Sequence, residues 1–414
     1  MFLELEIKKF GNMKLQKEKV IIILTVFIDV LGLGIIIPVL PYYVENFGVS
    51  AFGTTLLFAV FALFSFFSSP LLGALSDRYG RRPMLIVSIA SSALGWFVFA
   101  GAQNQLMLFV GRIIDGMAAG NFPIAQSYLV DIARDDKERT SNLGIIGAVF
   151  GLGFIVGPAI GAALGAISPA LPFWIVGILA TLNTIGAIFF LPETNKNLKK
   201  GIAINFHPFV PLKRAFEDKI LHSRYLTWFL FGFAITIIQT VFALYARDQF
   251  GYDSMQTGLL FTAMGVGMVI NQGFLLKKFW LKKFKEPWLE TWLFLPLALA
   301  FASMGGGFLW SLFLGMFVNV LVQSVIHVVI PSRVSGIAGH ERRGEVLGIM
   351  SSIISVSMIL GPVAAGALFE AHRQWPFFLA AASLIGAFVV MKWYCTIFPQ
   401  AVCQKDDLQD VIAI

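Results

Sequence analysis

Apolar residues in this chain run in long stretches, and polar residues collect in short clusters between them. A helix needs about 20 mostly apolar residues to cross the hydrocarbon core of a bilayer. On that measure the pattern predicts helices at 20–44, 51–75, 83–102, 106–131, 140–165 and 171–191, and again at 223–246, 255–276, 288–304, 308–331, 344–369 and 375–396. The ninth is short for a span. A polar stretch, 192–222, separates two groups of six (20–191 and 223–396), and 1–19 and 397–414 are tails.

Composition agrees with that count. Of 414 residues 57% are hydrophobic and 13% charged, against about 45–50% and 25% in soluble domains. The apolar share is about 236 residues, and twelve spans of ~20 would need ~240. With 41 Phe and 9 Trp the chain is not disordered. Two cysteines, Cys395 and Cys403, do not make a disulfide scaffold.

The net charge of +7 would suit nucleic acid, but the placement of the charges argues against it. Of 31 Lys and Arg, 28 fall in the tails, in the even-numbered connections or at the helix ends beside them, as Arg224 and Lys392 do. Arg247 and Arg373 stand alone in the odd-numbered ones, and Arg112 lies inside a helix. Such asymmetry orients a membrane protein with its basic loops in the cytoplasm. The expectation is a multi-pass protein of the inner (cytoplasmic) membrane with both termini cytoplasmic, no nucleic-acid partner and a monomeric state. The first apolar run is too long for a signal peptide and has no small-residue cleavage site before it, so it reads as a retained helix.

The chain also repeats itself at an offset of 203–204. Gly157-Pro158 returns as Gly361-Pro362, Pro172-Phe173 as Pro376-Phe377, and Tyr42 with Phe47-Gly48 as Tyr245 with Phe250-Gly251. Two related halves of six helices insert with the same orientation, the parallel-repeat plan of secondary transporters, in which the substrate site lies between the halves.

The first basic loop reads Gly73-Ala74-Leu75-Ser76-Asp77-Arg78-Tyr79-Gly80-Arg81-Arg82. Its glycines permit a tight turn, and a carboxylate at a helix end can face the positive N-terminus of a neighbouring helix. Helix 5 carries Gly144, Gly153, Gly157, Pro158 and Gly161, a smooth packing face with a kink. Helix 1 contains Asp29-Val30-Leu31-Gly32-Leu33-Gly34, and helix 4 Gly111-Arg112-Ile113-Ile114-Asp115-Gly116.

These motifs resemble the major facilitator superfamily, and within it the twelve-helix drug:proton antiporter branch of tetracycline and multidrug exporters. The resemblance covers nearly the whole chain and is stronger in its first half. It implies an all-α membrane fold of twelve helices in two six-helix halves, no cofactor and no metal. It implies that Asp77, with Gly73, Arg78, Gly80 and Arg81, latches one conformation by contacting the start of helix 11. It implies an antiporter role for the helix-5 glycines, where Ala162 departs from the usual glycine. The second half has only a degenerate copy of the loop signature, Gly273 to Lys283, with no acidic residue.

Charges inside a span are costly, roughly 2.5–3.5 kcal/mol at mid-helix or more, so they face a cavity or a partner. Asp29 is the first candidate for proton coupling and Asp115 the second. Arg112 and Asp115 share a helix face. They form either a self-neutralising pair or, as the resemblance favours, a pair whose Arg112 lines the central cavity. The second half offers neutral candidates for the cavity, Gln239, Asn319, Gln323 and His327, while Glu290 reads as interfacial. Tyr42, Tyr43 and Trp310 read as interfacial anchors.

The resemblance, with these charged residues, implies a proton-coupled exporter of small amphipathic organics working by alternating access, and the many aromatic residues would suit a flat substrate, cations included, by stacking and cation–π contact. The alternative is an uncoupled or differently coupled exporter or facilitator of a cellular metabolite. An integral-membrane enzyme would need a cluster of catalytic groups or metal ligands, whereas the five histidines are scattered.

Overall fold

The computed structural model describes residues 17–195, 208–218 and 220–397. Most of the two tails and much of the linker, with His207 and Cys403, lie outside the described residues. Helix is the only regular structure among those described.

Six helices form the first half. They are α1 (Lys17–Val44), α2 (Ala51–Tyr79), α3 (Arg81–Ala100), α4 (Gln105–Met117 and, after a break, Asn121–Asp131), α5 (Asp136–Ile167) and α6 (Leu171–Phe190). The linker contributes one short helix, Val210–Glu217. The second half has α7 (His222–Phe250), α8 (Ser254–Ile270, continued by a π-helical stretch Asn271–Trp280), α9 (Glu286–Trp292 with Phe294–Met304), α10 (Leu309–Gly339), α11 (Arg342–Ala371) and α12 (Trp375–Ile397). The chain between α10 and α11 is almost continuous helix, broken at Gly339, whose φ of 75° is left-handed. The short ninth span starts two residues earlier than expected, at Glu286, and reaches 19 residues in two helical segments.

Each half has its own interior. One buried cluster runs from Ala215 to Met391, and two others lie between Ile21 and Leu191. The repeat is visible in the packing. Gly157 of α5 lies against the backbone of Gly34 on α1, and its counterpart Gly361 of α11 lies against Thr236 on α7. Gly48 and Gly251 both close a helical segment in the left-handed conformation, at φ 65° and 67°, which glycine adopts without steric cost.

Let the end where α1 begins be the basic end, and the other the far end. At the far end the halves touch. Tyr42 Oη donates to Tyr252 O at 2.8 Å and lies 2.7 Å from Thr257 Oγ1. Arg247 donates to Pro41 O and Glu45, and Phe52 N donates to Glu370. Tyr43 is buried and donates to Phe99 O and Ala100 O. Tyr42 thus bridges the two halves and Tyr43 packs inside the first, whereas Trp310 is exposed.

Toward the basic end the halves separate, and the glycines measure it. Along the α5–α8 seam a Cβ added at Gly258 would lie 2.8 Å from Pro158 O, one at Gly265 3.3 Å from Ile155, and one at Gly151 4.0 Å from Val269. At Gly147 and Gly144 it would meet nothing within 4 Å. The α2–α11 seam behaves alike. Gly366 packs on Phe52 and Thr55, yet Gly348 and Gly73, about five turns along the same helix faces, meet nothing within 4 Å. The molecule encloses a cleft that is shut at the far end and open at the basic end.

Candidate functional site

Asp29 stands near the middle of α1 and is half-buried. Opposite it, α4 breaks at residues 118–120 and restarts at Asn121. The break turns Asn121 toward α1, where its Nδ2 donates to Asp29 Oδ1 at 3.0 Å. Asn121 is buried, and its Oδ1 accepts no protein hydrogen bond. Packing of α5 sets the position of α1. A Cβ at Gly153 would run into Val30, one at Gly157 would lie 2.8 Å from Gly34 Cα, and one at Gly161 3.1 Å from Ile35 Cα. So three of the helix-5 glycines bring α5 against the segment that carries Asp29. Ala162, where the motif usually has glycine, faces Gly258 of α8. The contact keeps its small partner by placing it on the other half.

Arg112 and Asp115 form an ion pair of 2.9 Å, with Ser92 Oγ donating to the other carboxylate oxygen at 2.7 Å. The guanidinium carbon lies 4.5 Å from the Phe61 ring centre, 5.1 Å from Trp96 and 5.7 Å from Phe99. At 2% exposure Arg112 does not line the cleft in this conformation. It is sealed inside the first half between α2, α3 and α4, in an aromatic cage that complements a cation. Asp115, 7% exposed, is sealed with it.

The second half holds a buried carboxylate that its position in sequence conceals. Glu290 was expected at the interface, yet it is 2% exposed. It accepts from Arg224 Nε of α7 at 2.7 Å and from Arg333 Nε of α10 at 2.6 Å. Glu290 lies in the short first segment of α9, Glu286–Trp292, and Arg224 and Arg333 reach it from α7 and α10.

Gln239, Asn319, Gln323 and His327 all lie in this half. Asn319, Gln323 and His327 recur every four residues of α10, roughly opposite the exposed Phe313, Leu314 and Phe317. His327 is exposed and its ring lies 5.7 Å from that of Trp228 on α7.

The loop signature forms a compact charged cluster at the basic end. Asp77 pairs with Arg81 at 2.7 Å, and Arg81 reaches Asp131 at 3.2 Å and Ser76 Oγ at 2.6 Å. Glu193 accepts from the first-turn amides of Arg81 and Arg82, the favourable place for a carboxylate at a helix N-terminus. Gly80 has φ 109°, and a Cβ there would strike the Glu193 carboxylate. Arg78 stacks on Tyr79. Here Asp77 bonds within its own half, while the first turn of α11 is held by the linker: Arg342 donates to Asp218 at 2.7 Å, and Arg214 to Glu345 at 2.9 Å. Asn121, Asp131, Glu193 and Asp218 were not foreseen. Nothing local in the sequence links them to their partners.

The Major Facilitator Superfamily profile matches residues 22–305. The chain is similar to the Quinolone resistance protein NorA of Staphylococcus aureus, at 29% identity over 382 residues, covering 91% of this chain and 96% of that one. It is similar to Multidrug resistance protein 2 of Bacillus subtilis at 27% over 387 residues, with the same coverage. The crystal structure of nucleoside transporter NupG shares the fold, with TM-score 0.74 at 15% identity over 92% of this chain and 99% of that one.

Proposed function

We propose that this chain, which belongs to the Major Facilitator Superfamily, exports small amphipathic organic compounds in exchange for protons by alternating access. The observation that carries the reading is Asp29: a half-buried carboxylate at mid-depth in the cleft wall, held by one hydrogen bond from Asn121. A charge at that depth needs a partner or a cavity, and a single neutral partner leaves its carboxylate open to protonation. Asp115 is the second candidate. Its carboxylate is already committed to Arg112 and Ser92, so it supports the geometry of the first half and ranks behind Asp29. The similarity to drug-resistance proteins supports export of organic compounds.

The basic charge asymmetry supports placing the open end in the cytoplasm, as a multi-pass protein of the cytoplasmic membrane acting as a monomer. The cleft then presents Asp29 to the cytoplasm. In the opposite state the far end opens, Gly144, Gly147 and Gly348 pack, and Asp77 meets the start of α11.

Reconstituted protein should dissipate an imposed ΔpH when norfloxacin is added, read by a pH-sensitive dye. Asp29→Asn should abolish the proton signal while norfloxacin still binds. If Asp29→Asn and Asp115→Asn both leave it intact, the coupling assignment falls. The neutral wall of the second half favours a second reading, an exporter or facilitator of a cellular metabolite without strict coupling. Substrate movement that ignores a protonophore would select it.

A further inference from the structure

The wall that the second half contributes to the cleft is polar but carries no charge suited to holding a cation. Asn319, Gln323 and His327 span ~12 Å along α10 at 1.5 Å per residue. Exposure rises along the stripe as the cleft widens, from Asn319 at 4% through half-buried Gln323 to exposed His327. Asn319 Oδ1 is buried with no hydrogen-bond partner, an arrangement that a ligand donor relieves. Gln239 is half-buried on α7, eleven residues beyond Trp228 and so on nearly the same side of the helix. Among the described residues, the other carboxylates of the linker and this half stand in the linker or near helix ends, at Glu217, Asp218, Asp248, Asp253, Glu286, Glu341, Glu345 and Glu370. Glu290 is bound between Arg224 and Arg333.

We propose that this wall selects uncharged or zwitterionic planar aromatic compounds, rich in hydrogen-bonding groups, over permanent lipophilic cations; the assignment rests on the export reading above. A cation entering a partly dry cleft loses hydration and needs a counter-charge close by. Asp29 on the opposite wall is the carboxylate placed to supply one, and it is also the proton site. A permanent cation and a proton would compete for that one group. A neutral or zwitterionic substrate leaves Asp29 free to titrate. Its acceptors and donors are met by side chains that both donate and accept, the amides of Gln239, Asn319 and Gln323, and its ring by the exposed imidazole of His327.

The test uses full-length protein in nanodiscs for binding and in liposomes for ΔpH dissipation, with norfloxacin as the zwitterion and ethidium as the permanent cation. Wild type should bind norfloxacin at least about tenfold more tightly than ethidium, a difference of ~1.4 kcal/mol. Gln323→Glu, which adds a carboxylate to the wall, should narrow or reverse that ratio by about tenfold through ethidium. Asn319→Ala should weaken norfloxacin and spare ethidium. Gln239→Glu serves as the second gain-of-charge variant if Gln323→Glu does not fold, as judged by thermal unfolding. Equal or tighter ethidium binding by wild type, or a folded gain-of-charge variant that leaves the ratio unchanged, overturns the proposal. If the binding order holds but neither probe dissipates ΔpH, the selectivity stands and the export reading falls. If both are exchanged for protons with equal binding, the export reading stands and the selectivity falls.

Discussion

Glu290 shows how one residue is misread when only its neighbours in sequence are considered. Near Lys285, at the basic start of its predicted helix, it reads as interfacial. In the fold it ties α7, α9 and α10 through Arg224 and Arg333. Removing one partner of a buried ion pair typically costs about 3–5 kcal/mol, because the remaining charge stays out of water. Glu290→Gln should therefore lower the thermal unfolding midpoint of the purified protein sharply, whereas Glu286→Gln one turn earlier should leave it nearly unchanged. Asp29 is the opposite case. A lone carboxylate within an apolar run is visible in the sequence because no packing logic places it there. Its partner Asn121 is not, since 92 positions separate the two.

Among the elements, α1 and α5 depend on the absence of side chains where they cross. A Cβ at Gly157 would sit 2.8 Å from Gly34 Cα and 3.0 Å from Leu31 O, and backbone cannot swing away as a side chain can. Overpacking ordinarily costs about 1–3 kcal/mol, so Gly157→Leu should cost at least that, read as a lower unfolding midpoint together with lost transport. The linker helix is held by charge rather than by apolar packing. Burial works to raise the Asp218 carboxyl, but hydrogen bonds from Arg342 and from the amides of Leu221 and Ile220 outweigh it and hold it below the ordinary value of 3.8. A depressed carboxyl adds stability at pH above its unfolded value and loses it as pH falls through the folded one. The attachment should thus be unchanged from pH 8 to pH 5, measured as hydrogen exchange of residues 208–218. Asp218→Asn should raise that exchange at every pH in the range. It also frees Arg342 at the start of α11, the region that the family resemblance assigns to Asp77.

At the scale of the whole molecule, the glycine contacts describe two halves packed together at the far end and apart at the basic end. Gly144 and Gly348 have open space in front of them, so cysteines there should react readily with a maleimide in the state described. Alternating access predicts that their labelling falls when the far end opens, and that Tyr42→Cys, now bonded across the gate to Tyr252 and Thr257, becomes more reactive in the same state. Labelling of all three that moves together would contradict rocking of the halves. The sequence by itself determined that the chain crosses a membrane in helices, that it does so in two like halves, and which end is basic. Those follow from hydropathy, repetition and charge, which are sums over many residues and survive local errors. It also exposed Asp29, Arg112 and Asp115, because a charge in lipid has no cheap explanation. Only the tertiary structure decided that Arg112 is caged rather than lining the cleft, that Glu290 is interior, that Asn121 reaches Asp29, and which end of the cleft is open. Each of these depends on the rotation of one helix against another, and that is set by side-chain packing between residues far apart in the chain.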